Sequence, residues 1–357
     1  VAATFGRGVW QIPIPCTNTT TALNIISSTT WSVPKRIIQP VYVKSGVTLT
    51  INSDVFLSGN SKIVIERGGK IVLNGGKLTN VCGELWKGVE VWGTSNKSQY
   101  TPDLSYQGQL EILNGGSIEN AEVAVFLGKR NAQGLNETYY EGGILKSNGA
   151  TFKNNKIGVI FNSYHNYWSY SPYPLRANQS YFSTCTFETN SDLIINYNQT
   201  PETFVKLIEV EGISFKGCNF INSSPSSYLV YNRGKGIVAT DAYCYVEQYC
   251  SSFYPCSNPI NCTFSNLYYA IDASKTWWDD VLSIKYATFN SNYRGIYISS
   301  ILNPIVMNNT FNIPDYDHSI DVILPTNNQP YGLYLNQSTG YTVENNSFNS
   351  STLNKST

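Results

Sequence analysis

The residues best suited to chemistry are acidic ones set beside aromatics or a histidine. Trp277-Trp278-Asp279-Asp280 joins two carboxylates to two indoles, and Asp315, Asp317 and Asp321 surround His318. Two carboxyl groups, one protonated and one ionised, can assist a leaving oxygen and activate water at a glycosidic bond. The faces of Trp277 and Trp278 can stack on sugar rings while carboxylates bind hydroxyls. The spacing Asp315-x-Asp317-x-x-x-Asp321 could also bring oxygens to Ca²⁺, a hard cation that takes oxygen ligands. Each pattern has a plainer reading: tryptophans that pack a loop onto the body of the protein, or a solvated insertion. A third aromatic stretch, 164–181, holds Trp168, Tyr170 and Tyr173. It reads as an exposed contact surface or as a loop packed on itself.

Such groups need a support, and composition indicates what kind. The 357 residues carry 24 Lys plus Arg against 24 Asp plus Glu, and only 13% are charged. A neutral, charge-poor chain is not a polyanion binder driven by counterion release, so nucleic acid is excluded as a partner. With 41% hydrophobic residues it is not a disordered tail either. No apolar run approaches the ~20 residues of a membrane span. Polarity comes instead from 39 Asn, with 26 Tyr and 27 Gly, which suits strands joined by tight corners. Nucleotide-binding glycine loops, paired-histidine metal helices and a Gly-x-Ser-x-Gly elbow are absent.

Two repeats define the elements. Between Val47 and Val91, strand-length apolar segments such as Val47–Ile51, Val55–Leu57, Ile63–Ile65 and Ile71–Leu73 alternate with short gaps. Several gaps hold paired glycines, among them Gly68-Gly69 and Gly75-Gly76, which allow backbone angles a Cβ would forbid. The second repeat sets a small residue or Asn two positions before a phenylalanine: Ala150/Phe152, Cys185/Phe187, Cys218/Phe220, Cys262/Phe264, Ala287/Phe289, Asn309/Phe311 and Asn346/Phe348. In a strand both members of each pair face inward. Asn154, Asn190, Asn222, Asn266 and Asn292 follow at the corners. The irregular spacing fits a coil of roughly 22 residues with insertions, as in stacked-coil architectures, and does not fit hairpins of fixed length.

The pattern small-Thr-Phe-x-x-Asn-x-x-Gly-Ile-x-Ile resembles the repeat of right-handed parallel β-helix proteins of the pectin-lyase-like superfold. The stretch Ile63 to Gly93, with Leu85-Trp86-Lys87-Gly88-Val89-Glu90-Val91-Trp92-Gly93, resembles large secreted surface proteins of Bacteroidota, many of them cargo of the type IX secretion system. The resemblance implies an all-β solenoid of three strands per coil, exported to the medium or the cell surface. Polysaccharide hydrolases of the superfold use clustered carboxylates, and its lyases use a Lys or Arg base near bound Ca²⁺. No motif here matches closely enough to carry a catalytic role over. The sequence stops in mid-pattern at Asn354-Lys355-Ser356-Thr357, so a longer parent protein is expected.

Residues 1–40 do not repeat and are expected to cap the N-terminal end, with the helix proper at 41–357 and inserted loops near 164–181 and 236–262. Cys185, Cys218 and Cys262 share one repeat position and form either a ladder of free thiols or a neighbouring pair. Cys244, Cys250, Cys256 and Cys262 are spaced by six, which suits a disulfide-stapled loop better than zinc. Cys16 and Cys82 are left as a bridge from cap to coil. The expected function is a scaffold or adhesin that binds a glycan, another cell-surface protein or the secretion apparatus, without cofactor or metal. The alternative is a polysaccharide lyase or glycoside hydrolase, for which Ca²⁺ would be the candidate ion.

Overall fold

The computed structural model describes residues 2–3, 9–10, 16, 21–100, 103–166, 176–251, 256–275, 282–315 and 329–350. Its strands form three parallel sheets of 11 strands each, every coil adding one strand to each sheet. The first coil is Leu23–Ile25, Thr29–Trp31 and Lys35–Ile37, and these strands begin sheets 1, 2 and 3. The last described coil is Tyr331–Asn336, Thr342–Glu344 and Ser347–Ser350. Crossovers between parallel strands are right-handed, and the molecule is a right-handed parallel β-helix.

Alternation explains the strands. Leu49, Ile51, Ile71 and Leu73 point inward and are fully buried, while Thr48, Thr50, Lys70 and Val72 face outward. The phenylalanine repeat becomes a continuous stack: Phe152, Phe187, Phe220, Phe264, Phe289, Phe311 and Phe348 follow one another with centroids 4.5 to 5.1 Å apart. Parallel in-register pairing forces that spacing, because neighbouring strands lie about 4.8 Å apart. The corner asparagines bond along the axis. Asn154 Nδ2 donates to Asn190 Oδ1 at 2.8 Å, and Asn292 Oδ1 accepts from the Leu267 amide at 3.0 Å. The first glycine of the pairs at 68 and 75 has φ of 74° and 72°, the left-handed turn that the pairs suggested.

The helix starts earlier than the repeats implied. Leu23 opens it, well inside the stretch 1–40, because the first strands have three residues each and are too short to show a period. The loop expected at 236–262 is also smaller. Lys235–Thr240 and Tyr243–Glu247 are strands of sheets 1 and 2, so the insertion is 248–262. The outward tyrosines at 243 and 245 had masked the alternation. Tyr181, at the end of the other expected loop, opens the sheet 2 strand Tyr181–Ser183.

The cysteines separate by burial. Cys16 and Cys82 form a disulfide, and so do Cys250 and Cys256. Cys185, Cys218, Cys244 and Cys262 are free and buried. The Cys218 amide donates to Cys262 Sγ at 3.2 Å, so the ladder reading holds, and neither Cys244 nor Cys262 belongs to the stapled loop. Burial pushes the Cys244 thiol up to about 12. Among the described residues no helix is long and apolar enough to cross a membrane.

Candidate functional site

Long insertions leave the coil mainly at the corner between sheets 1 and 2, where 92–108, 128–143 and 162–180 all emerge. Two of them are joined into one wall. Asn166 Oδ1 accepts from the Gln99 amide at 3.0 Å and from Ser98 Oγ at 3.1 Å, while Asn166 Nδ2 donates to the Ala177 carbonyl at 3.0 Å. Gln99 Oε1 in turn accepts from the Gln179 amide at 2.8 Å. Tyr164 donates its hydroxyl to the Lys97 carbonyl at 2.7 Å, and its burial drives its pKa well up. On the opposite side of sheet 2 the insertion 248–262 is closed by the Cys250–Cys256 disulfide and by paired backbone bonds between Tyr249 and Ile260.

Both walls come down on one strand, Glu211–Lys216, and glycines make that approach feasible. A Cβ on Gly212 would lie 2.6 Å from the Ala177 Cβ, and one on Gly217 would lie 2.7 Å from the Tyr249 Cβ. Between the walls the outer face of sheet 2 is the floor of a groove of 1230 Å³. In-register pairing sets its lining in rows along the axis. Lys146, Tyr181, Ser214 and Tyr245 are consecutive partners in one row, and Ser183, Lys216 and Glu247 in the next, with Lys285 two coils beyond Lys216. Strand spacing of about 4.8 Å makes the groove a ruler parallel to the helix axis.

Its chemistry is cationic and aromatic. Among the described residues the lining holds three lysines, at 146, 216 and 285, against one carboxylate, Glu247, which lies 3.7 Å from Lys216. Tyr100, Tyr181, Tyr245, Tyr249 and Tyr286 supply ring faces. Arg176 packs over Tyr100 with its guanidinium carbon 3.7 Å from the ring centroid. Tyr181 is held above the ordinary tyrosine range by burial, then by the charge of Glu111 and by Cys185. At the inner end of the strand Glu211–Lys216, His165 Nδ1 stands 2.8 Å from Glu211 Oε1. Glu211 is 6% exposed and its other oxygen has no hydrogen-bond partner. The contact orients the imidazole through Nδ1.

Of the residues singled out from sequence, Cys250 and Cys256 line this groove, as does Tyr181 at the end of the aromatic stretch 164–181. Trp168, Tyr170, Tyr173, Trp277, Trp278, Asp279, Asp280, Asp317 and Asp321 lie outside the described residues, as does His318. Asp315 is described and exposed, and it follows the sheet 3 strand Thr310–Ile313, across the coil from the groove. Among the described residues no three His, Cys, Asp or Glu side chains are grouped so as to hold a metal ion. Lys146, Lys216, Tyr245, Glu247 and Lys285 escaped the sequence reading. Their signal was the outward position in each strand that precedes a small-x-Phe repeat.

No family model matches the chain, and no curated protein matches it. Among solved structures, the periplasmic alginate epimerase AlgG is 10% identical, with 88% of this chain and 78% of that one covered and a TM-score of 0.38. A single-residue variant of the same enzyme is 10% identical over 90% of this chain and 78% of its own, with a TM-score of 0.30. Likeness at this level says nothing about activity.

Proposed function

We propose that the chain is an exported β-helix scaffold that holds an extended glycan in the sheet 2 groove, as an adhesin does, and that the local cluster of lysines makes anionic glycans preferred although the neutral composition pointed away from polyanions. The carrying observation is the groove itself, two braced walls over a floor whose described residues include three lysines, Glu247 and a set of tyrosines. Tyrosine faces stack on sugar rings, and lysines spaced along the axis meet repeated carboxylates or sulfates. Two disulfides support an oxidising compartment, in keeping with the resemblance to secreted surface proteins. Display on a surface, and passage through a type IX apparatus, belong to this proposal.

Hydrolysis by the usual route needs two carboxyl groups flanking the bond, and among the described residues the lining carries Glu247. The His165–Glu211 pair favours the second reading, a lyase or hydrolase in which His165 moves the proton. A glycan array followed by reducing-end and unsaturated-uronide assays separates the two. Retention of an anionic polysaccharide without new ends supports the scaffold. Turnover that disappears in His165→Ala establishes the enzyme and removes the adhesin.

A further inference from the structure

A second concavity lies at the corner between sheets 3 and 1, on coils nearer the N-terminus, and encloses 510 Å³. Its outer wall is the short loop after the sheet 3 strand Lys77–Asn80, and that loop is tied down from several directions. Cys82 is bonded to Cys16. Asn80 Nδ2 donates to the carbonyls of Cys82 and Glu84 at 2.7 and 3.0 Å. Tyr197, at the end of the helix Asp192–Tyr197, reaches back three coils and donates to Asn80 Oδ1 at 3.1 Å, so the helix roofs the cleft. The loop places Glu84 against Gly59, where a Cβ would come within 2.3 Å of Glu84 Oε2.

Charge gives the cleft its selectivity. Of its three carboxylates, Glu122 pairs with Lys87 at 2.5 Å and Glu202 with Lys156 at 3.7 Å. Glu84 has no cationic partner among the described residues, so the lining carries one net negative charge. A single uncommitted carboxylate is too few oxygens for Ca²⁺, which takes six to eight, but it suits one ammonium group. Asn60 and Gln199 face the same space with amides that bind hydroxyls, and Leu85, Val123 and Ile157 offer an apolar floor. The volume falls within the range of small-molecule sites, roughly 300–1,000 Å³.

We propose that this cleft is a second binding site, independent of the sheet 2 groove, for a small ligand that carries a primary ammonium beside hydroxyls: an amino sugar. Glu84 takes the ammonium, the amides of Asn60 and Gln199 take hydroxyls, and the ring lies on Val123 and Ile157. The test is calorimetric titration of the intact chain with the β-1,4 disaccharide of glucosamine, with its N-acetylated form, and with the lysine analogue Nα-acetyl-lysine amide. The glucosamine disaccharide is expected to bind at least about tenfold more tightly than either, the margin of one charge-assisted hydrogen bond. Glu84→Gln should erase that margin. Gly59→Ala should reduce it with every charge retained, because its Cβ displaces the carboxylate. Lys216→Gln, in the groove, should leave it unchanged. Equal binding of the N-acetylated disaccharide, equal or tighter binding of the lysine analogue, or no saturable binding of the glucosamine disaccharide overturns the assignment. So does a Glu84→Gln variant that keeps the margin.

Discussion

The two concavities sit on overlapping stretches of the coil, the cleft nearer the N-terminus, and have opposite characters. The sheet 2 groove is long and open, with three lysines against one carboxylate among the described residues. The cleft at the corner of sheets 3 and 1 is less than half its volume, with three carboxylates against two lysines. The coil supplies the groove's lysines from outward strand positions, Lys146, Lys216 and Lys285. Insertions add the walls and place Glu84. At one corner two loops joined through Asn166 build a wall, and at another a disulfide and a helix hold Glu84 over Gly59. A chain of zero net charge can therefore carry two selective sites, because selectivity is set by which charges strand faces and loops group together locally.

The largest effect should come from what the two regions share. Phe220 stacks between Phe187 and Phe264 at 4.7 and 4.5 Å and is fully buried. Phe220→Ala should cost about 3–5 kcal/mol, from lost burial and the cavity left behind, read as a fall in the urea midpoint. Binding at both sites should be lost together near that midpoint. Loss at one alone would mean that the coils beneath them unfold independently.

Charge replacement should separate the regions. Lys216→Gln with Lys285→Gln should weaken an anionic polysaccharide by about tenfold or more, as expected for charge-assisted contacts, and should leave the amino sugar untouched. Surface plasmon resonance at two salt concentrations checks this, since screening should weaken the parent and spare the variant. An unchanged affinity would place the glycan somewhere other than the groove.

A smaller effect should follow from loosening one wall. Gly217 has φ of 60° and Tyr249 directly above it, so Gly217→Ala combines backbone strain with a clash. The cost should be about 1–3 kcal/mol, and faster proteolysis within 248–262 should accompany weaker glycan retention. Proteolysis unchanged from the parent would mean that the wall does not depend on that contact.

How much of this could be read from the sequence follows from what repeats. The phenylalanine stack was legible because each coil places the same residue on the same inward site, so Phe152 through Phe348 announce the fold. The shared inward position of Cys185, Cys218 and Cys262 was legible for the same reason, while their free state was left open against pairing of neighbours. Disulfide partners were less so, since spacing placed Cys250 among four equivalent cysteines and only burial distinguishes Cys244 from it. The groove was not legible. Lys146, Lys216 and Lys285 come from separate strands, and nothing in sequence says that 92–108 and 162–180 stand together until Asn166 is seen joining them. Glu84 was equally hidden, its importance resting on a glycine from the preceding coil.

The smallest expected effect concerns the thiol beneath the groove. Cys244 lies fully buried in the strand Tyr243–Glu247, whose outward residues Tyr245 and Glu247 line the groove. Burial penalises the thiolate and pushes its pKa from 9.0 up to about 12. A group with a raised folded pKa contributes stability that is complete below its unfolded value and is lost as pH rises toward the folded one. The contribution of Cys244 should therefore be intact below pH 9 and decline between pH 9 and about 12. Cys244→Ala should lower the thermal midpoint at pH 7 through lost packing, yet show a shallower decline than the parent when pH rises above 9. Parallel declines would mean that this thiol does not feel its burial. A shallower decline confined to the sheet 2 region, read by limited proteolysis within 248–262, would show that alkali opens the cationic groove while the corner cleft holds.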